Sequence, residues 1–60
     1  MSRIVVLGGG ESGVGSAVLA KVKGVDVFLS DMGNISEEYR SVLQEWNIPF
    51  EQGKHSEDLI

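Results

Sequence analysis

The 60-residue chain has no cysteine, one proline and one histidine. Without cysteine it forms neither a disulfide framework nor a thiolate metal site, so the staples that hold many chains of this size together are missing. That fits a reducing, cytoplasmic setting. His55, the one histidine, makes no recognisable metal cluster and reads as a loop residue that could reach a ligand cleft. Long apolar runs are absent as well. The N-terminal part offers only Ile4 to Leu7 unbroken, against roughly 7–15 residues for a secretory core and roughly 20 for a membrane span. Neither export nor membrane insertion is expected. Bases are scarce, five against nine acids for a net charge of −4. Residues 1–29 carry three bases and two acids, residues 30–60 two bases and seven acids, a balance that disfavours nucleic-acid partners.

Glycine, by contrast, is plentiful, with five of the eight between Gly8 and Gly15. What precedes and follows them decides their meaning. Arg3 to Leu7 (RIVVL) is short and β-branched, which predicts a strand buried on both faces as in a parallel sheet. From Val14 the residues Val14, Ala17, Val18 and Val22 recur at helical spacing. Lys21 and Lys23 suit the negative end of the helix dipole, and Gly24 stands where a helix stop belongs. Val25 to Ser30 predicts a second strand ending at Asp31, before the breakers Met32-Gly33-Asn34. Ser36 can cap a second helix with Glu37 and Glu38 in its first turn and Tyr39, Val42, Leu43 and Trp46 as its apolar stripe. Asn47 and Pro49 stop that helix, and Ile48 to Gln52 predicts a short strand whose proline sits at its start or edge. Ser56, Glu57 and Asp58 look like the opening of a third helix, with Leu59 and Ile60 its first apolar residues.

The expected fold class is therefore α/β: a Rossmann-like parallel sheet, β-α-β-α-β with the start of a third helix, joined by right-handed crossovers. Sixty residues make one domain at most, burying only about 60% of the surface of the unfolded chain. Three strands leave a sheet edge uncovered, so the segment is expected to be the front of a longer protein. Its open edge could also pair with a second copy to give a homo-oligomer.

Between a strand and a helix, Gly8-Gly9-Gly10-Glu11-Ser12-Gly13 matches G-x-G-x-x-G. Gly8 permits a tight turn, Gly10 lets a diphosphate approach the main chain, and Gly13 lets the helix pack close to the strand. The free N–H groups at the helix start then receive the anion without a lysine. Asp31, 18 residues beyond Gly13 and at the tip of the second strand, can accept hydrogen bonds from a ribose or base. Ser12 can be a helix cap, a phosphate contact or both, while the Glu11 side chain should point to solvent or pair with a cation so that only its backbone contributes. A phosphate-transfer loop is excluded, because Ser16 and Ala17 stand where lysine and Ser/Thr are required after Gly10 and Gly15. On these residues alone the reading is a nucleotide site, and an NAD-binding half-domain of an oxidoreductase and a fragment that only self-associates both stay open.

The run IVVLGGGESGVGSAVLAKVKGVDVFLSD, followed by a short helix and FEQGKHSEDLI, resembles the N-terminal domain of the Mur ligase family over the whole chain. The spacing from the glycine loop to Asp31 and the G-x-H element at Gly53 to His55 carry the likeness. The resemblance implies a cytoplasmic three-domain ligase of peptidoglycan precursor synthesis whose first domain grips UDP-N-acetylmuramoyl-L-alanine. It implies that Glu11 main chain and Ser12 hydroxyl meet the diphosphate and that Asp31 engages the uridine. Met32 and Gly33 stand where some relatives carry polar residues, and no role is carried to them. ATP and Mg²⁺ are implied for the parent's central domain. Residues 1–60 would hold no catalytic residue and no metal ligand, and alone would be inactive.

Overall fold

The computed structural model describes residues 3–54. The element order is β1 (Arg3–Leu7), α1 (Glu11–Val22), β2 (Asp26–Asp31), α2 (Glu37–Glu45) and β3 (Phe50–Gln52). The three strands are parallel in the order β1-β2-β3, with Leu7 opposite Ser30 and Asp31 opposite Gln52. The α/β class and the β-α-β-α-β order expected from the sequence are both present. The expected third-helix start at Ser56 to Asp58 and the loop residue His55 lie outside the described residues.

Both helices begin and end by identifiable local chemistry. Helix α1 closes with Gly24 at φ +78°; Gly24 N–H donates to Lys21 C=O at 3.0 Å and Val25 N–H to Ala20 C=O at 3.0 Å. This is a Schellman stop, which satisfies carbonyls the helix end would otherwise orphan. It also uses the Val25 amide, so β2 starts one residue later than expected. Helix α2 repeats the device with Asn47 at φ +57°, Asn47 N–H donating to Gln44 C=O and Ile48 N–H to Leu43 C=O. Asparagine tolerates this left-handed geometry better than most side chains. Ile48 is thereby drawn into the stop and buried. Pro49 follows, its C=O accepting from Leu29 N–H at 3.1 Å. A proline at the mouth of a strand can still supply an acceptor to the ladder, so β3 begins only at Phe50. Ser36 caps α2 as expected, its Oγ accepting from Tyr39 N–H at 3.3 Å.

The core lies between the sheet and the two helices, with Val14 and Ala17 of α1, Val27 and Leu29 of β2, Ile35, Leu43 and Ile48 packed together. Three burial expectations are corrected. Strand β1 is not buried on both faces: Ile4 is 45% and Leu7 64% exposed. The strand with the continuous buried run, Val27 to Ser30, is β2. The reason is topological, since β2 is paired on both sides while β1 forms an edge of the described sheet. Trp46 is 39% exposed at the C-cap of α2 rather than in its core stripe, and Val22 is exposed at the last turn of α1. On the face of β2 opposite Val27 and Leu29, Arg3 lies over the Phe28 ring at 5.3 Å, and Ser30 Oγ donates to Glu51 Oε2 at 2.7 Å.

Candidate functional site

Parallel strands place all three of their carboxyl ends on one side of the sheet, and the N-terminus of α1 opens there. The chain leaves β1 through Gly8, whose φ of +115° disfavours any side chain. Its N–H donates to Ser30 C=O at 2.7 Å, extending the ladder one step beyond Leu7. Gly9 is buried, and a methyl there would stand 2.6 Å from Ile35 Cγ1. Gly10 is the N-cap of α1 in extended backbone (φ −81°, ψ −171°), a conformation open to any residue.

The second and third glycines of the motif, Gly10 and Gly13, do different work. A methyl on Gly13 would lie 1.8 Å from Gly8 C=O oxygen, a contact between helix and loop main chain that only glycine permits. A methyl on Gly10 would meet no atom within 4 Å. The protein itself therefore makes no packing demand for glycine at position 10; the space in front of it is open.

Helix α1 has no side-chain cap hydrogen bond. Its first intrahelical bond is Val14 N–H to Gly10 C=O at 2.9 Å. The amides of Glu11, Ser12 and Gly13 precede it, and helix geometry gives their N–H groups no partner in a preceding turn. The dipole places partial positive charge at the same point. The arrangement can receive an anion on main-chain donors alone. Ser12 is not the cap, because that position belongs to Gly10 two residues earlier; Ser12 and Glu11 are both exposed on the first turn.

Asp31, at the end of β2, is turned toward the glycine loop. Gly9 N–H donates to its Oδ2 at 2.6 Å and Gly33 N–H to its Oδ1 at 2.7 Å. The second bond is an Asx turn, which fixes the departure of the chain from β2. The next loop is tied in as well: Gly53 N–H donates to Gly33 C=O at 2.8 Å and Ile35 N–H to Gln52 Oε1 at 2.9 Å. The sequence alone assigns no role to Gly9, Gly33, Ile35 or Gln52. Asp31-Met32-Gly33 has the spacing of an Asx turn, which was the available signal; nothing local marks Gln52 as the partner of Ile35.

A site for ATP with Mg²⁺ does not fit these residues. Ser16 and Ala17 occupy the positions a phosphate-gripping lysine and a metal-binding hydroxyl would need. Among the described residues no group of three or more His, Cys, Asp or Glu side chains could hold a metal ion. No helix among them is long and apolar enough to cross a membrane.

A parallel β-α-β-α-β unit with an open glycine turn at a helix start and an acidic residue at the next strand's tip defines a Rossmann-like α/β class of architecture. Within that class the comparisons are specific. Residues 3–60 match the family model described as MurD N-terminal domain, and the chain belongs to that family. It is 57% identical over all 60 residues to the UDP-N-acetylmuramoylalanine--D-glutamate ligase of Bacteroides fragilis, covering 14% of that protein. It is 55% identical over the same length to the ligase of that name from Bacteroides thetaiotaomicron, again 14% of it. The ligase of that name from Chlorobium phaeobacteroides is 40% identical over 97% of the chain and 12% of its own length. The chain thus spans about one seventh of the first of these relatives. No solved structure matches it at a significant level.

Proposed function

We propose that this chain is the N-terminal, substrate-recognising segment of a ligase that adds D-glutamate to UDP-N-acetylmuramoyl-L-alanine in peptidoglycan precursor synthesis. It holds the diphosphate of that substrate on the main chain at the start of α1. The observation that carries the reading is the asymmetry of the glycines: Gly13 is demanded by protein packing, whereas Gly10 faces open space beside an uncapped helix start. An open position held by glycine is what a ligand's close approach requires.

In this reading Gly8 sets the turn, Gly10 clears the approach, and the amides of Glu11, Ser12 and Gly13 donate to the phosphate oxygens, with the Ser12 hydroxyl beside them. Asp31 stands at the nucleoside end. Family membership favours UDP over the nicotinamide alternative, because the relatives are named for a UDP-sugar substrate. No catalytic residue is assigned to this segment. ATP and Mg²⁺, which the family resemblance implies for the parent, would act elsewhere in it, and the setting would be cytoplasmic.

Steady-state kinetics on the full-length ligase containing this segment tests the reading. Gly10→Asp places a carboxylate where the diphosphate would lie, and it should raise KM for UDP-N-acetylmuramoyl-L-alanine by about tenfold or more while leaving KM for ATP unchanged. An unchanged KM for the UDP substrate would refute it.

A further inference from the structure

We infer that Asp31 is a positioning residue that latches the glycine loop and thereby sets the diphosphate cradle. The inference rests on the proposed diphosphate site and adds what holds that site in shape. One carboxylate spans two loops: Oδ2 receives the N–H of Gly9 between β1 and α1, and Oδ1 that of Gly33 between β2 and α2. Gly33 is in turn tied to the end of β3 through Gly53. Gly9 sits directly before Gly10, so its orientation fixes the direction in which the open face of the cradle points. Its burial against Ile35 leaves it little room to find another position. A carboxylate accepts from both amides, whereas an asparagine presents an NH₂ to one of them and breaks that bond.

The latch and a purely electrostatic role predict opposite signs. As a mere negative charge near a diphosphate, Asp31 repels the ligand, and its neutralisation would tighten binding. As a latch it orders the donors, and its neutralisation weakens binding.

The test is titration of the full-length ligase containing this segment, and of its variants, with inorganic pyrophosphate, and separately with UDP and uridine, the ATP site being blocked by a saturating ATP analogue, alongside amide hydrogen exchange. In Asp31→Asn, pyrophosphate and UDP affinity should fall by about tenfold or more, from the loss of a charge-assisted hydrogen bond. Exchange of the Gly9 amide should accelerate by a similar factor. Pyrophosphate affinity that is unchanged or improved overturns the inference, as does a loss confined to uridine, which would make Asp31 a nucleoside contact only. Gly9→Ala retains the carboxylate but sets a methyl 3.1 Å from Asp31 Oδ2 and 2.6 Å from Ile35 Cγ1. It should weaken pyrophosphate in the same way, and full retention would contradict the latch should Asp31→Asn fail to fold. If the unsubstituted full-length ligase binds neither pyrophosphate nor UDP, the proposed function falls. The latch is then decided by Gly9 exchange alone, unchanged exchange in Asp31→Asn overturning it.

Discussion

Replacing Gly13 with alanine should destabilise the fold strongly, although alanine is the better helix former. The added methyl would sit 1.8 Å from the oxygen and 2.9 Å from the carbon of the Gly8 carbonyl. Both are main-chain atoms, so no rotamer change relieves the contact, and the loop or the helix must retreat by about 1.5 Å to restore ordinary separation. Overpacking of this kind costs about 1–3 kcal/mol. Retreat also strains the Gly8 N–H bond to Ser30 and the Gly9 N–H bond to Asp31, about 1 kcal/mol each if lost. Against this, glycine to alanine inside a helix returns about 1 kcal/mol. The net loss is about 2–4 kcal/mol, a large share of the roughly 3–9 kcal/mol expected for a chain this size. With a urea slope of about 1 kcal/mol per M, the midpoint should fall by about 2–4 M. Gly15→Ala, two residues on in the same helix, is the control, since its methyl would meet nothing within 4 Å. That variant should gain about 0.5–1 kcal/mol and raise the midpoint. Equal midpoints for the two variants would refute the packing argument.

Gly10→Asp should leave the urea midpoint equal or slightly higher, because an aspartate N-cap satisfies the α1 amides by a few tenths of a kcal/mol better than glycine. The same variant should lose UDP affinity, so stability and binding move in opposite directions; a fall in both would show that Gly10 is needed for the fold. Leu43→Ala removes a fully buried side chain at the centre of the core and should cost about 2–5 kcal/mol, read as lost amide dispersion or a collapsed urea midpoint. Ser36→Ala should cost about 1 kcal/mol by removing the α2 cap, with helix content at 222 nm as the check.

The order of elements was legible because short β-branched or apolar runs alternate with segments of helical spacing and local stop signals punctuate them. Gly24, Asn47 and Ser36 all act where their chemistry suggests. Burial was less legible. A β-branched run such as Ile4 to Leu7 reads the same in a central strand and at an edge, and only the strand order separates the two. Trp46 continues the helical period of Tyr39, Val42 and Leu43, yet the period does not say that α2 ends at Glu45. At the site, Gly13 was readable as a packing glycine from the motif. The role of Gly9 was not, because it depends on Ile35 and Asp31, residues more than twenty positions away that the β2 register brings alongside. Ser12 looked like a cap because serine so often is one, but the geometry of the turn gives that position to Gly10.

The most direct measurement is the change in ¹⁵N–¹H amide shifts of the 60-residue chain on addition of UDP. If the helix start receives the diphosphate, the largest changes fall on Gly10, Glu11, Ser12 and Gly13, with Gly9 and Gly33 following through Asp31. Changes that leave those amides untouched, or that appear with NAD and not with UDP, would contradict the account.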